Sequence, residues 1–105
     1  DSLMAVTTFD GIKDEQQKIF WKVVEAFNLK ERSDLLKFAT GRVRLPPKHH
    51  QNSKFLKIDE LSGIDILPTA STCFHKLHYP YYSSFQKAYK MIKIAIEYSG
   101  TFENS

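Results

Sequence analysis

The feature that most constrains this chain is a long amphipathic stretch near its C-terminal end. Between residues 85 and 96, apolar side chains recur with the i, i+3, i+4, i+7 spacing of a helix that buries one face. They are Phe85, Ala88, Tyr89, Ile92, Ala95 and Ile96. Ser83 and Gln86 form a capping-box pattern before the stripe, and Gly100 follows it. The pattern predicts a helix that ends at Gly100, before a polar tail that contains Phe102.

The first half of the chain predicts two further helices. Apolar residues at positions 20, 23, 24 and 27 predict a helix over residues 14–27. Asn28 and Glu31 form a second capping-box pattern, so another helix is expected to begin there. It should end at Gly41, because glycine tolerates the left-handed conformation that closes helices. Its core-facing residues are predicted to be Leu35, Leu36, Phe38 and Ala39.

Two short strands are predicted between these helices and the last one. Pro46 and Pro47 bar helix continuation, and the polar and basic residues through 53 predict a loop. Residues 55–58 predict a short strand, and residues 61–72, which mix glycine, proline and small hydroxyl side chains, should be irregular. A second strand is predicted in which alternate residues share a face: Cys73, His75, Leu77 and Tyr79.

These elements define an α+β fold, a small single domain with helices packed on a short-stranded sheet. A chain of 105 residues should bury somewhat under ~70% of the surface its unfolded form exposes, which suffices for one modest core. Its 42% apolar and 26% charged residues lie in the ordinary globular range and exclude a disordered chain. We expect it to fold alone as a monomer.

The charge pattern does not select a partner. A net charge of +3 is mild for a domain that holds phosphates, so no nucleic acid is expected as a partner. Basic residues are concentrated in one connecting segment: Arg42, Arg44, Lys48, His49, His50, Lys54 and Lys57. A solvated loop is the favoured interpretation of this segment. The alternative is a non-catalytic basic protein-interaction module whose segment binds an acidic partner.

Cysteine content and hydropathy bear on the compartment. One cysteine cannot form an internal disulfide, no apolar run approaches ~18 residues, and no basic-then-apolar signal begins the chain. We therefore expect a cytoplasmic or nuclear protein with no membrane contact. The first residue is Asp1 rather than Met, so the chain is expected to be a fragment of a longer protein.

Cys73 is the candidate nucleophile. It follows a run of small and hydroxyl residues at the predicted junction of irregular chain and strand, which favours the partial exposure that a nucleophilic thiolate needs. A buried small hydrophobe is the alternative interpretation. His75 would share its strand face, but same-face neighbours point in parallel at roughly 6 to 7 Å, which disfavours an activating Cys–His pair.

Metal and cofactor chemistry find little support. Structural zinc sites usually pair ligands in short-spaced knuckles with two or more cysteines, which disfavours zinc here. The residues available for it are Cys73, His75, His78, His49 and His50. The sequence has no phosphate-cradling glycine loop and no dinucleotide fingerprint. No metal and no cofactor is expected.

The residues around Cys73 also carry a family resemblance. Residues 67–74 read Leu-Pro-Thr-Ala-Ser-Thr-Cys-Phe, and Leu77, Pro80 and Tyr82 follow. This segment resembles the catalytic segment of the C-terminal lobe, or C-lobe, of HECT-type ubiquitin ligases. Residues 20–27 and 35–46 resemble the two helices that open that lobe. Phe102 is fourth from the end, where these ligases commonly carry a phenylalanine, and the resemblance covers roughly residues 9–105.

The resemblance implies a fold of the HECT C-lobe type and a function. Residues 1–13 would be the hinge or linker from a larger N-lobe, and residues 14–105 the C-lobe with its catalytic cysteine and tail. Cys73 would accept ubiquitin as a thioester from a ubiquitin-conjugating enzyme docked on the N-lobe, and pass it to a lysine of a protein substrate. The supporting residues would be Pro68, Thr69, Thr72 and Phe74 in the catalytic loop, with Phe102 positioning the tail.

The chain departs from the family pattern at two places. Residues 48–53 lack the Gly-Phe that often follows the Leu-Pro, and His75 and His78 stand where an Asn and an acidic residue are frequent. The first change affects packing, the second affects rate or substrate preference, and neither alters the nucleophile. A lobe that has lost activity and only scaffolds is a third interpretation, against which the intact Thr-Cys-Phe argues.

Overall fold

The computed structural model describes residues 2–45 and 55–102, with side chains described over residues 3–45 and 55–98. Within these ranges the chain forms helices packed on a four-stranded mixed sheet, which confirms the predicted α+β class. The elements are α1 (Ser2–Ala5), β1 (Thr7–Asp10), α2 (Asp14–Ala26), α3 (Leu29–Thr40), β2 (Leu56–Ile64), β3 (Thr69–Ser71), β4 (Lys76–Tyr81) and α4 (Phe85–Phe102). A 3-10 turn over Thr72–Phe74, called here the cysteine turn, joins β3 to β4.

The sheet has the strand order β1-β2-β4-β3. β1 and β4 each run parallel to β2, whereas β3 pairs antiparallel with β4 at the edge. Ile58 is the register partner of Phe9 on one side and of Leu77 on the other. Side chains alternate between the two faces of a strand, so each such row across the sheet lies on one face.

The helices cover one face of this sheet, where the core lies. α2 and α3 each contact α4, and α3 also reaches β3, β4 and the cysteine turn. The buried apolar residues are Leu3, Val6, Phe20, Val23, Val24, Phe27, Leu35, Leu36, Ala39, Leu56, Ile58, Leu77, Tyr79, Tyr82, Ala88, Ile92, Ala95 and Ile96. The apolar stripes predicted for all three long helices are confirmed. Phe38, Phe85 and Tyr89 are only partly buried against this core.

The predicted start and end of α3 are both confirmed. The Asn28 side chain accepts a hydrogen bond from the Glu31 N–H at 2.8 Å, and Glu31 Oε1 accepts one from the Asn28 N–H at 2.9 Å. This reciprocal pair satisfies two amides that a helix start leaves open. At the other end Gly41 has φ 78°, and its N–H donates to the Lys37 carbonyl at 2.8 Å.

The predicted boundaries of α4 are wrong at both ends. Ser84, not Ser83, is the cap, because its hydroxyl accepts a hydrogen bond from the Lys87 N–H at 3.2 Å. The Ser83 N–H and hydroxyl instead donate to the Asp65 carboxylate at 2.9 and 2.7 Å. The helix does not end at Gly100 but runs to Phe102, because a glycine ends a helix only where the backbone leaves the helical conformation.

The first predicted strand was too short, and the second was misplaced, since β4 spans Lys76–Tyr81. β2 continues past residue 58 to Ile64, through an irregularity between Glu60 and Ile64 where Gly63 has φ 131°. The segment predicted to be irregular also holds β3, which pairs with β4. Local composition favoured a loop in both places, but cross-strand hydrogen bonding decided otherwise. The predicted loop through Pro46, Pro47 and the basic residues up to Lys54 lies outside the described residues.

The N-terminal segment is joined to the domain. Leu3 and Val6 are buried, and the Leu56 N–H donates to the Val6 carbonyl at 3.0 Å. β1 extends the sheet beside β2, while the division into a linker over residues 1–13 and a lobe over 14–105 stays a prediction. Among the helices of the described ranges, none combines the length and apolar character required to cross a bilayer.

Candidate active site

Cys73 lies at the centre of the cysteine turn, and its side chain is exposed. The turn is closed by the His75 N–H, which donates to the Thr72 carbonyl at 3.1 Å. His75 then adopts a left-handed backbone conformation, with φ 53° and ψ 46°. The predicted exposure of Cys73 is confirmed, but the cysteine lies in a turn between β3 and β4 and not at a junction of irregular chain and strand.

His75 does not share a strand face with Cys73, so that prediction was wrong. The left-handed turn at His75 breaks the alternation of side chains before β4 begins at Lys76. The His75 Nδ1–H points to the Phe55 carbonyl at 3.2 Å, and the two rings meet edge to face at 5.1 Å. The Lys57 N–H also donates to the His75 carbonyl at 3.0 Å. His75 therefore ties the turn to the start of β2.

The supporting residues differ in burial. Pro68 is buried, whereas Thr69 and Thr72 are exposed. Phe74 is 73% exposed, and the Lys76 ammonium lies over its ring at 5.9 Å from the centroid. A large apolar ring held on the surface beside a thiol leaves an apolar surface free for contact with another molecule.

Two contacts support the cysteine turn and the segment that precedes it. Gly41, which ends α3, lies so close that a Cβ added to it would be 3.8 Å from the Thr72 Cβ. The Tyr82 hydroxyl donates to the Ile66 carbonyl at 2.7 Å and anchors the chain just before Leu67 and Pro68. The Leu-Pro segment and Tyr82, which are separate parts of the sequence motif, thus meet in space.

A chain of hydrogen bonds that the sequence reasoning missed lies beside the turn. Ser71 Oγ is 2.9 Å from His78 Nε2, and His78 Nδ1 is 2.6 Å from Asp59 Oδ1. His78 was noted as a departure from the family pattern and as a disfavoured zinc ligand, and Asp59 and Ser71 were not singled out. The parallel pairing of β2 with β4 and the presence of β3 bring the three together. Alternation along each strand was the available signal, but it does not give the register.

Two predicted features fall partly outside the description. His49 and His50, which were weighed with Cys73 as zinc ligands and disfavoured, are not among the described residues. Within residues 2–45 and 55–102, no three His, Cys, Asp or Glu side chains converge as metal ligands do. The Phe102 backbone belongs to α4, but its side chain is not described, so its role in positioning the tail stays a prediction.

Comparison with known proteins identifies the family. The model of the HECT-domain (ubiquitin-transferase) family matches residues 1–105. The human E3 ubiquitin-protein ligase HECW2 is 34% identical over 89 residues, which cover 79% of this chain and 6% of that protein. The ligase pub3 of Schizosaccharomyces pombe is 31% identical over 93 residues, covering 83% of this chain and 12% of its own length.

A third relative agrees. The human Apoptosis-resistant E3 ubiquitin protein ligase 1 is 33% identical over 85 residues, covering 80% of this chain and 10% of that protein. This chain therefore belongs to the HECT family, as its sequence resemblance indicated. It spans a small part, between 6% and 12%, of the length of these three relatives.

Proposed function

We propose that this chain transfers ubiquitin through a thioester on Cys73. The observation that carries the proposal is the placement of the chain's only cysteine on a tight, exposed turn in a domain of the HECT family. A thiolate is the nucleophile in such chemistry, and it must be reachable by a large incoming partner. Exposure of Cys73 on the turn satisfies that requirement.

The reaction has two steps. The Cys73 thiolate attacks the thioester carbonyl that links ubiquitin to a conjugating enzyme, a new carbon–sulfur bond forms, and the thiolate of the conjugating enzyme leaves. A substrate lysine amine then attacks the Cys73 thioester, an isopeptide bond forms, and the Cys73 thiolate leaves as the amine loses a proton. The first step exchanges one thioester for another, so approach geometry and thiolate fraction control its rate.

The residues around Cys73 have separate proposed roles. The peptide N–H groups of Thr72, Cys73 and Phe74 are the proposed donors to the tetrahedral oxyanion, because the leading amides of a short helical turn lack partners inside it. Pro68 and Thr69 shape the entry into β3, the strand that leads into the turn. Phe74 supplies the exposed apolar contact beside the thioester.

The proposed partners are ubiquitin, a conjugating enzyme and protein substrates, in the cytoplasm or nucleus. The conjugating enzyme would dock on an N-lobe outside this chain. Without that platform, the 105 residues should load very poorly from a charged conjugating enzyme in dilute solution, because the two sulfurs are no longer held together.

The test joins this chain to the N-lobe of a HECT ligase and supplies a charged conjugating enzyme. A ubiquitin adduct that reductant removes is expected on the parent protein. It should be absent from Cys73→Ala, and a reductant-stable ester on Cys73→Ser would locate the acceptor atom.

The matched control moves the thiol. Ser62 is exposed on β2, so Cys73→Ala combined with Ser62→Cys keeps one exposed cysteine at another place. This variant should not load, because position as well as chemistry is required. A reductant-sensitive adduct on Cys73→Ala alone, or equal loading of the relocated thiol, would overturn the assignment. Alkylation of Cys73 should block loading, and a parent fusion that takes no ubiquitin at all would favour the non-catalytic basic interaction module instead.

A further inference from the structure

The sheet face opposite the helices carries an ordered chain of polar groups. Asp59 on β2 and His78 on β4 are register partners, and Thr69 on β3 is the next partner in the same row. Ser71 lies two residues further along β3, so it shares this face and reaches diagonally to His78. The bonds from Asp59 to His78 and from His78 to Ser71, at 2.6 and 2.9 Å, link three strands.

The donor and the acceptor of each hydrogen bond between Asp59, His78 and Ser71 can be assigned. An ionised carboxylate only accepts hydrogen bonds, so the hydrogen between Asp59 and His78 belongs to His78 Nδ1. In the neutral imidazole, Nε2 is then an acceptor, and the Ser71 hydroxyl donates to it. A hydroxyl, an imidazole and a carboxylate in this order can move a proton from the hydroxyl to the ring while the carboxylate stabilises the imidazolium.

The hydrogen-bonded groups are partly exposed to solvent and have charged side chains as neighbours. The side chains of His78 and Asp59 are 25% and 26% exposed, so neither is sealed in the core. Lys57 and Lys76 form the neighbouring row on the same face. Asp10 on β1 is the other register partner of Asp59, and its carboxylate pairs with the Lys57 ammonium at 3.6 Å.

Ser71 places this relay next to the thiol. It is the residue from which the cysteine turn begins, yet its side chain does not cap that turn and bonds to His78 instead. Two residues of chain separate the Ser71 and Cys73 Cα atoms by at most roughly 7 Å. Ser71 is thus near enough along the chain for its hydroxyl to be a candidate contact of a nucleophile that attacks an acyl group on the Cys73 sulfur.

We propose that Ser71, His78 and Asp59 form a proton relay for the attack of an amine on the Cys73 thioester. As the carbon–nitrogen bond forms, the amine proton passes to Ser71 Oγ, the Ser71 hydroxyl proton passes to His78 Nε2, and the carbon–sulfur bond breaks to release the Cys73 thiolate. Ser71 is the catalytic residue that contacts the amine, whereas His78 and Asp59 position and polarise it. The inference deepens the proposed function and rests on it.

The experiment compares two nucleophiles on the same thioester. The 105-residue chain, whose described part has its own core, is loaded at Cys73 from ubiquitin that carries a small-thiol thioester at its C-terminus. Decay of the adduct is then followed with free lysine or with the thiolate of mercaptoethanesulfonate. Lysine must lose a proton and the thiolate has none to lose, so only the first reaction uses the relay.

Expected results follow from that difference. Ser71→Ala, His78→Asn and Asp59→Asn should each slow lysine discharge by about 10- to 100-fold, and leave thiolate exchange within about 2-fold of the parent. Asp10→Asn makes the same chemical change in the same row of the sheet without touching the relay, and it should leave both rates unchanged.

Equal slowing of both reactions would show that these residues only hold the turn, and unchanged lysine discharge would show that no relay operates. Either outcome overturns the inference while Cys73 loading still supports the proposed function. If the parent chain takes no ubiquitin, the proposed function itself is in question. The decays with lysine and with the thiolate are then measured on an acetyl thioester formed at Cys73. If the three variants do not slow the lysine reaction selectively there, the relay is overturned without any reference to ubiquitin.

Discussion

Gln16 and Tyr82 are joined by both polar atoms of one side-chain amide. Gln16 Nε2 donates to the Tyr82 carbonyl and Gln16 Oε1 accepts from the Tyr82 N–H, each at 3.0 Å. Gln16 is buried, and Tyr82 lies between β4 and α4. The side-chain amide thus satisfies the two backbone groups of Tyr82 that a neighbouring strand would otherwise bind. It joins the start of α2 to the segment that leads into α4.

Loss of this amide should therefore destabilise the domain. Gln16→Ala leaves two buried backbone groups of Tyr82 without their partner, and we expect the free energy of unfolding to fall by about 2–4 kcal/mol. Urea unfolding followed by circular dichroism measures it. Gln17→Ala is the control, since its Nε2 makes one partly buried bond to the Ile12 carbonyl and should cost about 1 kcal/mol or less. Equal losses for both variants would contradict the role given to Gln16.

The two buried tyrosines should respond oppositely to loss of their hydroxyl groups. Tyr79 Oη has no hydrogen-bond partner within the described ranges, whereas the Tyr82 hydroxyl donates to the Ile66 carbonyl at 2.7 Å. Burial raises the pKa of both phenols, so both hydroxyls stay protonated. Tyr79→Phe should change the free energy of unfolding little, or raise it by up to about 1 kcal/mol, while Tyr82→Phe should lower it by about 1–2 kcal/mol.

Thermal melts of the two single variants check this pair. The rings are adjacent, at 5.2 Å between centroids, so both substitutions change the same region of the core. A larger loss for Tyr79→Phe than for Tyr82→Phe would show that the Tyr79 hydroxyl has a partner of its own.

Acid should weaken the contact between the end of β2 and the start of α4. The N–H and hydroxyl of Ser83 donate to the Asp65 carboxylate and hold the pKa of Asp65 below its ordinary value of 3.8. The folded state therefore favours the charged form, so this contribution is fully present above about pH 4 and is lost as pH falls through the lower folded pKa. Asp65→Asn should lower the melting temperature at pH 7.

The same substitution should have a smaller effect at pH 2–3, because the carboxyl of the parent protein is then becoming neutral as well. Ser83→Ala removes the donating hydroxyl. In that background, the effect of Asp65→Asn on the melting temperature should differ less between the two pH values. A loss on Asp65→Asn that is equal at both pH values would mean that the charge of Asp65 contributes nothing to stability.

The role proposed for Phe102 is transfer and not folding. It lies at the last residue of α4, and the family resemblance places a phenylalanine at this distance from the end. We expect Phe102→Ala to keep the melting temperature nearly unchanged and to permit thioester formation on Cys73. The second step, transfer to lysine, should slow by about 10-fold or more if the ring positions the loaded lobe.

Tyr98→Ala is the matched control for Phe102→Ala, because Tyr98 is an aromatic residue on the same helix and is 52% exposed. Single-turnover transfer to lysine in the N-lobe fusion measures both variants. Unfolding of Phe102→Ala would make the residue part of the core, and transfer at the parent rate would leave it without a role.

Local signals predicted the helices well. The cap formed by Asn28 and Glu31 and the left-handed Gly41 act within a few residues of each other, so the sequence contains all that they need. The same holds for the apolar stripes of α2 and α4, which a helix aligns whatever it packs against. The exposed position of Cys73 was also predictable, since small and hydroxyl residues precede it.

The sheet was harder to predict, because its hydrogen bonds join residues far apart in sequence. β3 and the end of β2 have glycine and polar residues that favour a loop, and they form strands because β4 offers them partners. The end of α4 shows the reverse error, since Gly100 permits a left-handed turn but does not require one.

The sequence by itself determined the three long helices, their buried faces and the one thiol available for chemistry, because periodicity, capping and composition are properties of neighbouring residues. Only the tertiary structure decided what surrounds that thiol. His75, two residues after it along the chain, turns away to Phe55, whereas Asp59, fourteen residues before it, reaches Ser71 through His78. The register of parallel and antiparallel strands makes that difference, and register follows from packing of the whole sheet, not from any one segment.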